Sequence, residues 1–330
     1  ADVGVAVHGS TDAACAAADM VLTEPGLSVI VDAMLIARGV FQRMLSFLTY
    51  RVSATLQLVF FFFIGVFALP PVNYGVVDPS HPDQAKFFHL PVLMFMLITL
   101  LNDGTLMAIG YDRVFPQPRP QRWNLRMLFF IAAVLAGVAC VSSLMLLWMA
   151  LDSWDNYDNS WFNALGLPRT DYPHLITMIY LKISISDFLT LFAARTQDKP
   201  FFAYRPSGIL LGGAGFSLTL STCVASFWPD SSPDDIKSIG LALDTPGEKP
   251  STAQHLMPLF VWAYCILWWF IQDAVKVFTY WIVTKYDIFS YRTFALPDAR
   301  MASVINQGNL AVAAHATDDK DQPLLQKAVN

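Results

Sequence analysis

Six long apolar runs constrain the fold of this 330-residue chain more than any other feature. Each is close to the roughly twenty residues that an α-helix needs to cross about 30 Å of hydrocarbon. Backbone polar groups must be paired within a bilayer, so the runs predict transmembrane helices. The expected spans are about 50–69, 90–110, 127–150, 174–194, 207–228 and 257–282.

The composition agrees with a chain that lies in lipid. Only 14% of the residues are charged, against about a quarter in a typical soluble domain. The sequence has no basic block interleaved with aromatic residues, so no nucleic-acid partner is expected. The cysteines have no metal-ligand spacing and are expected to be small buried hydrophobic residues rather than a disulfide framework or a metal site; they are Cys15, Cys140, Cys223 and Cys265.

The first residues predict a different kind of structure. The run GVAV, turn residues, the run DAACAAA and then MVL predict a strand, a helix and a strand, typical of the edge of an α/β domain. The expected organisation is a remnant of such a domain, a stalk helix, a six-helix membrane domain and a polar tail, at 1–26, 27–49, 50–284 and 285–330. The chain opens inside an ordered-looking segment, so a fragment is expected.

Positive charges predict the orientation of the spans. Lysine and arginine are concentrated before the first run, in alternate connections and at the start of the tail; the residues are Arg38, Arg43, Arg51, Arg113, Arg119, Arg122, Arg126, Arg195, Lys199, Arg205, Lys285 and Arg292. The other three connections are mainly acidic. Because such positive segments stay in the cytosol, both termini are predicted to be cytosolic.

The second run contains the polar sequence Asn102-Asp103-Gly104. A helix that stopped before it would hold about a dozen residues, too few to span, so we expect a helix that unwinds at Asp103 and Gly104 and then continues. Gln57 is expected at a similar depth in the first span. Burial favours the neutral form of a carboxyl group, which suits reversible proton binding, although a lone glutamine also serves as a helix-packing hydrogen bonder.

Four further charged residues lie in the apolar runs. Lys182 and Asp187 lie about 140° apart around one helix, so each is expected to meet another helix or water, with structural pairing preferred to transport. Asp273 and Lys276 are three residues apart and predict a local salt bridge, with Lys276 reaching towards the membrane surface.

Two stretches resemble a known family. The run from Gly4 to Met44 is similar to the end of the phosphorylation domain, of the HAD type, and to the fifth stalk helix of the P-type plasma-membrane proton-exporting ATPases. The motif LLNDGTLM and the connection after it are similar to that family's sixth transmembrane helix. The resemblance covers residues 1 to about 285 and implies that the six spans are helices five to ten of a ten-helix pump.

The resemblance also implies a mechanism. ATP with Mg²⁺ would phosphorylate an aspartate in a DKTGT motif, and two conformations would alternately expose a membrane carboxylate, here Asp103. Family members have arginine or histidine where this chain has Gln57, so the expected positive partner is absent there, and Lys182 is a candidate to supply it. The chain contains no DKTGT motif. It is therefore expected to have no catalytic residue of its own and to bind no ATP or Mg²⁺ by itself, and the missing N-terminal part of the same pump is its expected partner.

Three functional interpretations remain at this point. The first is the transport half of a proton pump in the plasma membrane, surrounded by lipid and with self-association left open. The second is a non-enzymatic six-span fragment from a truncated gene. The third is a P-type pump for another cation, although a single acid in the first two spans favours protons.

Overall fold

The computed structural model describes residues 3–23, 28–74, 87–114, 123–155, 157–232, 234, 236–243, 255–286 and 288. These residues belong to two compact units. The first contains the described residues up to Met44 together with Val114, and the second contains all the others. The predicted tail at 285–330 lies outside the described residues, apart from positions 285, 286 and 288.

The first unit contains a small strand–helix–strand arrangement, as the sequence predicts. Its elements are β1 (Val5–Ala6), α1 (Asp12–Ala17) and β2 (Met20–Val21). The two strands pair in parallel, with Val5 opposite Met20, and α1 is the crossover that a parallel connection needs. Gly9 turns the chain before α1 with a φ of 82°. The Thr11 hydroxyl then accepts a hydrogen bond of 3.4 Å from the Ala14 backbone, a typical N-cap.

Six helices of the described chain are long and apolar enough to cross a membrane. They are α2 (Ser28–Ala68), α3 (Val92–Met107), α4 (Leu125–Asp155), α6 (Tyr172–Ala194), α7 (Gly208–Ser226) and α8 (Met257–Lys285). The short α5 (Trp161–Ala164) lies between α4 and α6. The prediction of an all-α polytopic membrane protein is confirmed.

The predicted stalk and the first predicted span lie along a single helix. α2 has 41 residues, or about 60 Å at 1.5 Å per residue. No proline interrupts the sequence between Ser28 and Ala68. The helix ends just before Leu69-Pro70-Pro71, since a residue that precedes proline disfavours the helical conformation.

The prediction that α3 unwinds at Asp103 and Gly104 is wrong. The α-helix is continuous through both residues to Met107, and the winding tightens to a 3₁₀ turn only at Ala108–Tyr111. The turn preference of Asn-Asp-Gly is a local propensity of about 1 kcal/mol per residue. A regular helix pairs every backbone group within the segment, and in an apolar medium that requirement outweighs the local preference.

The six-helix bundle is organised around α6. Nearly all of its residues are buried, and it packs against α3, α4, α7 and α8. Apolar side chains form two separate clusters. The first cluster includes Tyr50, Leu106, Leu135, Leu191 and Val283. The second cluster includes Phe61, Ile98, Leu146, Ile183 and Val261.

Large apolar side chains on the outer faces of the helices are not covered by protein. Phe63 and Phe67 of α2 are 63% and 74% exposed, as suits contact with lipid tails. Cys140 and Cys265 are buried as predicted, but Cys15 is only partly buried and Cys223 is exposed. That prediction is wrong for Cys223 because it lies on a face of α7 that no other described helix covers.

The chain after α7 folds back on the end of that helix. Gly240 and Leu241 donate backbone hydrogen bonds of 2.9 Å to Trp228 and Ala225. A Cβ atom on Gly240 would lie 2.5 Å from the Ser226 carbonyl oxygen, so only glycine allows this close approach. The segment also carries Asp234, whose carboxylate accepts a 2.8 Å bond from Val92 at the start of α3.

Candidate ion-translocation site

An ion pair connects α2 and α3. The Arg51 guanidinium donates a hydrogen bond to the carboxylate of Asp103, and both side chains are 44% exposed. The pair therefore lies at the edge of the protein core rather than inside it. The sequence indicated Arg51 only as one of the charges that orient the spans. The pairing with Asp103 could be predicted from depth in the membrane. The first two spans run in opposite directions, so the start of one and the end of the other, where Arg51 and Asp103 lie, face the same side.

Gln57, the predicted amide partner of Asp103, does not bind it. Its side chain is 1% exposed, and neither Nε2 nor Oε1 has a hydrogen-bond partner among the described residues. Gln57 lies almost two helical turns beyond Arg51 on α2. The charged partner therefore comes from a neighbouring position on the same helix, and the amide occupies a deeper level.

Asn102 and Asp187 form a buried pair between α3 and α6. The Asn102 amide nitrogen donates a 2.8 Å hydrogen bond to Oδ2 of Asp187. Asn102 is 6% exposed, and Asp187 is completely buried. Oδ1 of Asn102 and Oδ1 of Asp187 have no partner among the described residues. Asp187 therefore pairs within the bundle, as expected, through one carboxylate oxygen. Its other oxygen has no partner among the described residues.

Lys182 is not the counter-charge of Asp103. Its ammonium group donates to the carbonyl oxygen of Ala139 at 3.0 Å, to the Ser142 hydroxyl at 2.7 Å and to the Ser143 hydroxyl. The side chain is completely buried. These three oxygens use all three donors of the ammonium group. Lys182 therefore joins α6 to α4 and makes no hydrogen bond with a described carboxylate.

Asp273 and Lys276 form the predicted ion pair at 2.7 Å. Lys276 is 1% exposed, so the expectation that it reaches the membrane surface is wrong. Its ammonium group instead donates to oxygens at and beyond the end of α6, namely those of Ala193, Thr196 and Lys199. A helix end carries unpaired carbonyl groups that favour such a cation.

A second buried ion pair was not predicted. Arg195, at the end of α6, contacts the Asp112 carboxylate at 2.8 Å and 3.2 Å and also donates to the Tyr204 carbonyl oxygen at 2.9 Å. Asp112 also accepts a 3.0 Å bond from the Ser207 backbone, just before α7. This network holds the ends of three long helices together, and its residues lie in polar connections where sequence patterns do not specify partners.

Gly104 does not serve as a site of close approach. A Cβ atom at this position would meet nothing within 4 Å in the described structure.

The carboxylates of Asp103 and Asp187 lie in two different environments. Asp103 has a cation and is half-exposed, whereas Asp187 has a neutral amide and is buried.

Comparison with protein-family models gives no match. The chain is 60% identical over 291 residues to two proteins of Leishmania donovani, "Probable proton ATPase 1B" and "Probable proton ATPase 1A", and the match covers 88% of this chain. It is 30% identical over 278 residues, 84% of this chain, to "Probable plasma membrane ATPase" of Dictyostelium discoideum. The chain belongs to the proton ATPase family.

The chain spans only part of these proton ATPases. The matched region is 29% of the length of each Leishmania relative and 24% of the Dictyostelium relative. The similarity confirms the family resemblance carried by the LNDGT motif and the first forty residues. The translocation roles of Asn102, Asp103, Gly104 and Gln57 stay predictions for this proton ATPase relative.

Proposed function

We propose that this chain forms the membrane part of an ATP-driven P-type pump that exports protons across the plasma membrane, with both termini in the cytosol. The observation that carries the proposal is the ion pair between Arg51 and Asp103, a carboxylate on a transmembrane helix within reach of a permanent cation. Ionisable side chains in spans are costly and typically mark ion pathways.

The chemistry proposed for the pair is a reversible exchange. A proton that binds to the Asp103 carboxylate replaces the hydrogen bond from Arg51 and neutralises the negative charge. When the neutral carboxyl group faces the opposite side, the returning guanidinium favours the ionised form and promotes release of the proton. Arginine suits this role because it stays protonated throughout the physiological pH range.

ATP and Mg²⁺ are proposed cofactors of the full-length pump. The described residues include no group of three or more His, Cys, Asp or Glu residues that could hold a metal ion, so the described donor set does not fit a magnesium site. No step of the exchange at Asp103 is assigned to either cofactor. Coupling between ATP hydrolysis and the spans would reach this chain through the rest of the pump.

Two alternatives make different predictions. A pump for another cation would show ATP-driven transport that depends on sodium or potassium. A non-enzymatic six-span protein would show no ATP-dependent transport at all. The first two predicted spans, 50–69 and 90–110, contain a single acid, Asp103. This favours the proton, because alkali and alkaline-earth cations bind to several oxygen ligands at once.

The test is transport by the full-length protein in sealed vesicles. The proposal expects ATP-driven acidification with choline as the sole other cation, unchanged when sodium or potassium is added to both sides. Transport that requires sodium or potassium would favour the other-cation pump. Absence of any ATP-dependent gradient from correctly folded protein would favour the non-enzymatic interpretation.

A further inference from the structure

We infer that Asp187 is a second proton-binding carboxylate, which binds a hydrated proton in a buried polar layer shared with Asn102 and Gln57. The inference rests on the proposed function, because it adds a deeper site to the same pathway. It names a residue on α6 as part of a path whose first site is formed by α2 and α3.

Asp187 is buried without an adequate protein partner. It is completely buried, and among the described residues its carboxylate accepts one hydrogen bond, the 2.8 Å bond from Asn102 to Oδ2. Oδ1 has no described partner. A buried ionised carboxylate is costly unless it is paired and hydrogen-bonded. Asp273, by comparison, has both a lysine at 2.7 Å and a backbone donor at 3.1 Å.

The polar side chains lie at one level of the bundle. On α2, Gln57 lies between Tyr50 of the first apolar cluster and Phe61 of the second. On α3, Asn102 lies between Leu106 of the first cluster and Ile98 of the second. On α6, Asp187 likewise lies between Leu191 and Ile183. Three helices therefore contribute a polar residue to the layer that separates the two clusters.

The layer has unmatched donors as well as unmatched acceptors. Acceptor oxygens without described partners belong to Asp187, Asn102 and Gln57, and the Gln57 amide nitrogen is an unmatched donor. The hydroxyls of Tyr50 and Ser53, on the same face of α2, also lack described partners. A proton bound to Asp187 makes its carboxyl group a donor to one of these oxygens, and the water that hydrates it can accept from the amide. A bare metal ion can satisfy only the oxygens, so the mixture favours the proton.

The cations nearest to Asp187 bind other groups. Lys182 on α6 acts on Asp187 electrostatically but bonds to α4, Arg51 on α2 pairs with Asp103 on α3, and Lys276 on α8 pairs with Asp273. Three helices that pack against α6 carry other titratable groups, namely Arg126, Cys140, Asp152 and Asp155 of α4, Cys223 of α7, and Tyr264, Cys265, Tyr280 and Lys285 of α8. Tyr50 of α2 also interacts electrostatically with Asp187. No described cation makes an ion pair with Asp187.

The experiment uses the full-length pump in vesicles and the variant Asp187→Asn, which keeps an oxygen to accept the Asn102 hydrogen bond. The logarithm of the rate of ATP-driven acidification, plotted against pH, should have a slope smaller by about one, because one titrating group is removed. Infrared difference spectra between high and low pH should lose one protonated-carboxyl band, which Asp187→Glu should retain. Asp158→Asn, an exposed carboxylate outside the spans, should keep both the slope and the band.

Each outcome decides one question. If the wild-type protein gives no ATP-driven acidification, the proposed function fails, and the infrared band alone then tests Asp187. If the wild type acidifies the vesicles but Asp187→Asn keeps the slope and the band, this inference fails. If sodium or potassium binding is present and is lost in Asp187→Asn, the layer is a metal-cation site and the proton assignment is overturned.

Discussion

Arg51 and Asp103 form an ion pair between α2 and α3, although they lie 52 residues apart in the sequence. The pair provides the positive partner that the sequence lacks at Gln57. It is also half-exposed at 44% for each side chain, so its contribution to stability is small, about 1 kcal/mol or less. Its importance is expected in the protonation of Asp103 rather than in folding.

Arg51→Gln should therefore fold normally but transport protons more slowly. The substitution removes the guanidinium that, in the proposed exchange, returns to the Asp103 carboxylate as the proton leaves. ATP-driven acidification should fall severalfold, while thermal stability should change by about 1 kcal/mol or less. Arg51→Lys keeps the positive charge and is the control. Acidification by Arg51→Gln at the wild-type rate would show that the pair does not act on the proton site.

Lys276→Met should destabilise the bundle strongly. Among the described residues, the substitution leaves the buried Asp273 carboxylate with only the Phe201 backbone donor. Breaking a buried pair in this way costs about 3–5 kcal/mol. Thermal unfolding in detergent measures the effect. The double variant Asp273→Asn/Lys276→Met should recover part of the loss because it leaves no uncompensated charge. A single variant as stable as the wild type would argue against the pair.

Gly104→Ala should be tolerated because α3 is a regular helix at this position. Nothing described lies within 4 Å of the added methyl group, and alanine stabilises a helix interior by about 1 kcal/mol relative to glycine. Gly240→Ala is the contrasting variant, since its Cβ would lie 2.5 Å from a carbonyl oxygen. Thermal stability should be kept or raised in the first and reduced in the second. A transport defect in stably folded Gly104→Ala would instead indicate that α3 unwinds at Gly104 during the cycle.

The fold could be predicted from the sequence because lipid imposes a simple rule. A run of about twenty apolar residues must form a helix, and six such runs correspond to six helices. The unwinding of α3 was predicted wrongly because Asn-Asp-Gly is a turn signal in water, whereas a continuous helix keeps the backbone of α3 paired through Gly104.

The partners in the site were harder to predict than its residues. Asp103, Gln57 and Asp187 stood out as polar groups in apolar runs, but sequence spacing cannot tell which helix faces which. Arg51 binds Asp103, whereas Asn102 binds Asp187 on another helix and not Asp103, its neighbour in the sequence. Lys182 was a candidate partner for Asp103, but three oxygens of α4 engage its ammonium group. Only tertiary packing decides these pairings.

The central claim is tested most directly by Asp103→Asn in the full-length pump, reconstituted in sealed vesicles and supplied with ATP. The account predicts that acidification disappears while the protein still folds and inserts. Asp158→Asn, in an exposed turn outside the spans, should acidify the vesicles as the wild type does. ATP-driven acidification by Asp103→Asn at the wild-type rate would contradict the assignment of Asp103 as the proton-carrying carboxylate.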